Sequence, residues 1–367
     1  MALAIASSET NLPPADVRPA DLLSPAELAA FGQEMDALRT RIVEDLGQRD
    51  LDYIRGLLRT QRGLELAGRA LLQFSLLPPA WLGGTAALAV SKILDNMEIG
   101  HNVMHGQYAW TGEDDLRPDT FEWDNTCPGN QWRHSHNELH HTHTNILGRD
   151  HDLGYKILRM ADEQPWHPAR LGNPLYAGLL ALLFQWGVAL HDVDLDTAVT
   201  IQDGRVVISD KLREVGRKAG GQVLKDYLLF PALAGPGAPA TLAGNATSNL
   251  VRNLWAFTII FCGHFPDGTY VFAEEEVEGE SRGGWYLRQL LGSANITGGP
   301  LFHVMSGNLS HQIEHHLFPD LPAHRYPEIA PEVREICARY GLPYNTGGLV
   351  EQFGSVVRRI VRLALPG

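Results

Sequence analysis

Cysteine is scarce in this chain, and the three present (Cys127, Cys262 and Cys337) are far apart and form no CxxC pair. An odd, scattered set fits a reducing compartment and leaves no disulfide framework or thiolate-metal scaffold to read. Any metal site must therefore be rich in nitrogen ligands. Positive charge is also thin. The net charge is -13 with no basic block, so nucleic acid is excluded as a partner for want of an electrostatic footprint. Met1 to Leu12 lacks a basic region ahead of an apolar core, so no secretory signal is read there. Repeats and disorder-type composition are absent, and 367 residues suffice for one large or two ordinary domains. A mean hydropathy of -0.15 is low for a polytopic membrane protein, so any membrane part must be small beside a polar one.

Histidine is what the chain does have, and its distribution is not random. His101-Asn102-Val103-Met104-His105 is the first cluster and His134-Ser135-His136-Asn137-Glu138-Leu139-His140-His141-Thr142-His143 the second. His311-Gln312-Ile313-Glu314-His315-His316 is the third, and the three together hold ten of the sixteen histidines. On a helix, residues four apart share a face, so His101 with His105, His136 with His140, and His311 with His315 can each point at one ion. His141 lies about 100° round from His140, close enough to serve a second ion. A single tetrahedral zinc uses at most four ligands, so about eight imidazoles fit two cations better than one. Imidazole suits iron, zinc, copper and nickel alike, and ligand type alone does not name the metal. Glu138 and Glu314, inside the clusters, are expected to hydrogen-bond the imidazoles, with His134 and Gln312 in the same supporting role.

Apolar runs set the rest of the architecture. Ser24-Pro25-Ala26-Glu27 reads as the start of an amphipathic packing helix with Leu28, Phe31, Met35, Leu38 and Ile42 on one side. Ala67 to Leu94 is apolar and broken by Pro78-Pro79 and Gly83-Gly84. Spanning hydrocarbon takes roughly 20 residues, so this stretch is one generous crossing or a tight hairpin. Pro174 to Leu190 is uncharged but short and leads into the acidic run His191 to Asp196, whereas Tyr227 to Gly263 can form a down-and-up pair. If all three clusters serve one site, an even number of crossings separates the second from the third. Lys211, Arg213, Arg217 and Lys218 precede the Tyr227 run, where the positive-inside tendency puts them in the cytoplasm. Pro174 to Leu190 is therefore read as an interfacial or buried helix, and the chain returns to the cytoplasm at Gly263-His264. The expected fold is all-α: an integral membrane protein with a few transmembrane helices and a cytoplasmic helical cap holding a histidine-rich two-metal site. Residues 1-64 are expected to form an N-terminal cytoplasmic helical region, 65-323 the membrane-embedded catalytic domain, and 324-367 C-terminal cytoplasmic helices. The expected location is the cell membrane, multi-pass, with the clusters on the cytoplasmic side.

The three boxes HNVMH, HNELHH and HQIEHHLFP, with Trp132 and Thr144-Asn145 flanking the second, resemble those of the membrane-bound fatty acid desaturases. The resemblance runs from Ala67 to the C-terminus. Ser306-Gly307-Asn308-Leu309-Ser310-His311 and Leu317-Phe318-Pro319-Asp320-Leu321-Pro322 look most like bacterial, actinobacterial-type acyl-CoA or linoleoyl-CoA enzymes. The resemblance implies a mushroom-shaped helical protein with a non-haem di-iron centre. Such an enzyme uses O2 and two electrons from an external donor to remove two hydrogens from an acyl chain. Carried onto this sequence, the ligands are His101, His105, His136, His140, His141, His315 and His316. In the third box the family shows HxxHH or QxxHH. Here His311 lies one residue earlier than that spacing wants and Gln312 stands in register, and His311 is read as the ligand with Gln312 assisting. His264 falls where related acyl-CoA enzymes carry a further histidine, although the asparagine four residues ahead is replaced by Ile260.

No His-Pro-Gly-Gly haem motif and no GxGxxG after a strand are present, so the implied electrons come from a separate ferredoxin, an NAD(P)H reductase, or both. Long-chain acyl groups, on CoA in the first instance, and the lipid bilayer complete the expected partners, with two irons as cofactor and O2 as co-substrate. The side chains closing the substrate tunnel are expected to be apolar. Two rival readings remain. The same di-iron chemistry yields a lipid hydroxylase or epoxygenase if the substrate carbon sits differently, within about an ångström. His311-Gln312-Ile313-Glu314-His315 also matches the HxxEH of zinc peptidases, which explains one box and leaves two idle.

Overall fold

A computed structural model of the chain describes residues 22–193, 198–202 and 205–366. Met1 to Leu12 and part of the acidic run after Leu190 lie outside them. Among the described residues the fold is built from ten α-helices of eight residues or more: α1 (Pro25–Glu44), α2 (Gln48–Leu72), α3 (Pro78–Ile93), α4 (Asn173–Leu182), α5 (Phe184–His191), α6 (Asp210–Val223), α7 (Ala238–His264), α8 (Arg282–Leu291), α9 (Tyr326–Arg339) and α10 (Leu349–Arg362). Strand is confined to two ribbons, β1 (Val199–Gln202) antiparallel to β2 (Arg205–Ile208), and β3 (Asn295–Thr297) parallel to β4 (Thr346–Gly348).

Helix α1 starts where the sequence says it should. The Ser24 hydroxyl accepts from the Glu27 amide while the Glu27 carboxylate accepts from the Ser24 amide, and Pro25 occupies the first helical position. Its Phe31, Met35, Leu38 and Ile42 are buried in a core shared with α8, α9 and the third histidine box. The boundary expected at 64–65 falls inside α2, which runs unbroken from Gln48 to Leu72.

Two helical hairpins pack against each other. The first is α2 and α3. Beyond Ile93, α3 runs on through a π-helical stretch, Leu94–Gly100, into His101–Met104. The second consists of α6, extended through Leu224–Leu229 and Phe230–Leu233, and the 27-residue α7. Their turns meet at one end. The Ser75 hydroxyl donates to the Gly237 carbonyl at 3.1 Å and lies 2.9 Å from that of Thr241, and the Trp81 indole donates to the Ala240 carbonyl at 2.8 Å. Around these turns Leu66, Phe74, Leu76, Leu77, Leu82 and Leu233 are exposed, so the outside of this end of the pair is apolar.

The inside is not. Lys92 reaches Asp124 and Asp226 at 2.9 Å each, and Arg69 reaches Asp226 at 2.7 Å, with Lys92, Arg69 and Asp226 almost fully buried. A charged seam is thus turned inward between the hairpins. No single described helix is both long and apolar enough to cross a membrane. The α4–α5 pair is apolar enough together but bends by 96°. Leu183, between the two, leaves α-geometry, which makes Pro174 to Leu190 two short pieces.

Arg325 ties the N-terminal half to the segment after the third box. It is wholly buried and holds Asp50, also wholly buried, through two hydrogen bonds of 2.5 and 2.9 Å, and it bonds Asp45 at 2.9 Å. Removing one partner of a buried pair leaves the other charge uncompensated, at a cost of about 3 to 5 kcal/mol. Arg325→Ala is therefore expected to lower the unfolding free energy by that order, seen as a fall in the denaturation midpoint of the purified protein. A midpoint within error of the parent would refute this role for the pair.

Candidate metal centre

The three boxes and the C-terminus of α7 converge on one buried space. His101 and His105 follow the π-helical stretch after α3. The second box is itself π-helical over Arg133–His140, and the third is the short helix Gln312–Leu317. A π-turn changes the angle between successive side chains, and such turns recur at functional sites. The lead-in to the third box passes tightly against the first. Gly307 adopts φ +71, and a Cβ there would sit 2.3 Å from the Met97 carbonyl oxygen, so only glycine fits.

Two groups of imidazoles result. In the first, the His101 ring lies 4.6 Å from His105, 5.2 Å from His136 and 4.9 Å from His315, centroid to centroid. In the second, His140, His264 and His316 lie 4.7 to 5.1 Å apart. His141 stands between them, stacked on His316 at 4.4 Å and edge-on to His105 at 4.6 Å. Within each group the candidate ligand atoms are all within 4.8 Å of one another.

Most of these rings are held by Nδ1, which turns Nε2 inward. His140 Nδ1 lies 3.0 Å from Asp150, His136 Nδ1 3.3 Å from Asp152, His316 Nδ1 2.9 Å from the Gln289 amide oxygen, and His315 Nδ1 3.3 Å from the Tyr326 hydroxyl. Partners of this kind fix the tautomer and raise ligand basicity. The Nε2 atoms of His105, His140, His141 and His315 are buried with no hydrogen-bond partner. Orphaned, converging imidazole nitrogens in a protein interior are costly unless a cation accepts their lone pairs, so the donor set fits a metal centre. Electrostatics agree. Burial, reinforced by neighbouring imidazoles, pushes His101 down to about 3 and holds His105, His141, His315 and His316 well below the ordinary histidine value, leaving them neutral with lone pairs free. His140 is the exception. Burial opposes its charge, but Asp150 and Asp152 outweigh burial and lift it to about 9, so this corner of the site favours a positive charge.

The structure brings together His101, His105, His136, His140, His141, His264, His315 and His316, and it does not bring His311. The His311 ring faces away, 4.6 Å from His303, whose Nδ1 is 2.7 Å from the Ser310 hydroxyl. Gln312 takes the inward place, its amide nitrogen 3.0 Å from His264 Nε2, so the third box reads in the QxxHH register. The expected supporting residues also move. Glu138 is exposed, as a residue two positions before His140 on a helix must be when His140 points inward. Glu314 is buried but accepts from Asn295 at 2.9 Å and Tyr344 at 2.7 Å, fastening the box to β3 rather than to an imidazole. The half-exposed His134 pairs with Asp192 at 2.7 Å, outside the cluster. The carboxylates that do the orienting are Asp150 and Asp152, and His191 Nε2 lies 2.6 Å from the latter. Their signal was the doublet of acids in Arg149-Asp150-His151-Asp152. They reach back because the chain turns at Asn145 (φ +56), where Asp150 accepts from the Asn145 amide.

Beside the imidazoles lies a cavity whose walls include Met97, Trp132, Tyr155, Phe184, Ile260 and Leu309, with His101, His136 and His264 also on it. Its lining is not wholly apolar. Fully buried Arg252, donating to Asn253 at 3.0 Å and to Gln185, also borders it, contrary to the expectation of apolar closure.

A helical protein with two adjacent all-histidine groups opening on a largely apolar cavity is a metalloenzyme built for an apolar substrate. The profile of the fatty acid desaturase family matches residues 76–348. The chain is 46% identical to the NADPH-dependent stearoyl-CoA 9-desaturase of Mycobacterium tuberculosis, over 94% of this chain and 82% of that protein. It is 26% identical to the sn-1 linoleoyl-lipid 6-desaturase of Synechocystis, over 73% of this chain and 76% of that one. The chain belongs to the fatty acid desaturase family, and it is an oxidoreductase of that family.

Substituting a residue that orients a metal-bound histidine typically lowers metal affinity by about 10- to 100-fold. Asp150→Asn is expected to lose metal to a chelator at concentrations that leave the parent loaded. His311→Ala should keep the full metal complement and His315→Ala should not. Elemental analysis of the three purified variants checks both, and loss of metal from His311→Ala would return that residue to the ligand set.

Proposed function

We propose that this chain is a membrane-embedded acyl-CoA desaturase with a di-iron centre held by His101, His105, His136 and His315 on one side and His140, His264 and His316 on the other, with His141 between them. The observation that carries this reading is the pair of imidazole groups with orphaned Nε2 atoms on the wall of a largely apolar cavity. Bound iron would supply the O2 activation needed to break unactivated carbon–hydrogen bonds. The chain's own residues supply the rest. Met97, Trp132, Tyr155, Phe184, Ile260 and Leu309 receive the acyl chain and exclude water from it. The carboxylates of Asp150 and Asp152, with Gln289 and Tyr326, hold the imidazoles so that the acyl carbons meet a fixed geometry.

Membrane embedding rests on the two hairpins. The 27 residues of α7 reach about 40 Å at 1.5 Å per residue, against a hydrocarbon core of about 30 Å. With α2–α3 and α6–α7 entering turns first, their other ends return the cap and its histidines to one side. Lys211, Arg213, Arg217 and Lys218 support reading that side as the cytoplasm. The M. tuberculosis relative is named NADPH-dependent, and with no nucleotide-binding glycine motif here the electrons would reach this chain through a separate reductase, directly or by way of a ferredoxin. The peptidase reading has no support in this geometry, since His311 and Glu314 both turn away from the imidazole groups.

The test is iron and zinc content of detergent-purified protein together with fatty-acid profiles of cells expressing the parent and His315→Ala. Two irons per chain and a new unsaturated acid that vanishes in the variant are expected. A hydroxy acid instead would make the enzyme a hydroxylase, and one zinc with unchanged lipids would overturn the oxygen-dependent reading altogether.

A further inference from the structure

Helix α10 has more apolar surface than the protein covers. Leu349, Phe353, Val356 and Ile360 pack into the core formed with α4, α5 and α7. Next to that buried stripe, Val350, Val357 and Val361 form a second one, spaced seven and four residues apart and therefore on one face, and they are 88%, 43% and 49% exposed. Polar residues take the remaining arc, with Glu351, Arg358 and Arg362 exposed. A helix whose apolar arc exceeds its packing face, edged by arginines, has the make-up of one lying along a bilayer surface.

Two further observations fix the level and the occupant. The polar edge of α10 is tied to the chain just beyond the end of α7. Arg359 donates to the Phe265 carbonyl at 3.2 Å and to the Thr269 hydroxyl at 3.0 Å, and Arg358 pairs with Asp267 at 3.0 Å. Helix α10 therefore crosses α7 where α7 emerges at His264, the boundary between hairpins and cap. Its exposed row is also continued by its neighbour. Asn173, at the start of α4, donates to the Ile360 carbonyl at 3.3 Å, and Leu175, Leu179 and Leu182 of α4 are exposed.

We infer that α10, flanked by α4, lies in the plane of the membrane–water interface with Val350, Val357 and Val361 against lipid. It would anchor the cap to the bilayer surface independently of the hairpins. This rests on the membrane reading above, and a probe at the hairpin turn separates the two. The three native cysteines are buried, so single cysteines introduced by Val357→Cys, Val361→Cys, Glu351→Cys and Phe74→Cys can be labelled selectively with a bimane fluorophore. Each labelled protein is then placed in phosphatidylcholine nanodiscs with or without brominated acyl chains. Positions 357 and 361 are expected to be quenched by bromine about two-fold or more beyond position 351, with position 74 quenched as well. Quenching at 74 but equal, low quenching at 357, 361 and 351 would overturn the inference and leave the hairpins standing. Absence of quenching at 74 and 357 alike would overturn the membrane reading with it. Bromine-insensitive fluorescence together with disulfide-linked dimers through position 357 would assign this face to a second copy of the chain and overturn the lipid assignment.

Discussion

Eight imidazoles facing one buried space cannot all be protonated without mutual repulsion, nor neutral without leaving inward lone pairs unmatched. Either state is expensive in a protein interior, and only a cation at the centre removes the expense. The surrounding structure is arranged around that constraint. Asp150 and Asp152, Gln289 and Tyr326 hold four of the rings from behind. Gly307 lets the third box press against the first, and the π-helical stretches turn His101 and the second box into register. Because the partners that aim the rings come from three different segments, the metal centre is also the point where the tertiary structure is sewn together.

The hairpins obey a related rule. Around their turns the outer surfaces are apolar, while Lys92, Arg69, Asp124 and Asp226 compensate one another between them. Buried ion pairs of this kind add little net stability but are expensive to break, so they fix which helix faces which. Hydropathy alone finds no crossing among the described helices because α3 itself is only 16 residues long and α7 turns Asn245, Asn249, Arg252 and Asn253 inward. An average along a helix cannot separate an apolar exterior from a charged seam.

The histidine boxes, the amphipathic α1 with its capping box, and the apolar runs that become hairpins were legible because each is a local pattern with a local physical cause. Ser24 and Glu27 meet because they are three residues apart, and His101 and His105 because they are four apart. His311 shows where such reasoning stops. Counting four back from His315 selected it, but the segment before Gln312 is a tight turn rather than α-helix, and the turn rotates His311 away and puts Gln312 inward. Glu138 and Glu314 failed for the complementary reason. Glu138, two positions before the inward-facing His140, lies on the far side of its helix, and Glu314, though buried, is taken up by Asn295 and Tyr344.

By itself the sequence determined the donor chemistry, since its three scattered cysteines form no thiolate pair and its histidines fall in three tight clusters. It determined the helical class, and through the three boxes it determined the family. Only the tertiary structure decided which eight imidazoles converge, which carboxylates stand behind them, and that Arg252 borders the cavity beside them, because each of these depends on separate segments meeting in space. Helix α10 belongs to the same class of fact. Its pattern announces an amphipathic helix, but how much of its apolar arc stays uncovered is known only once its neighbours are packed against it.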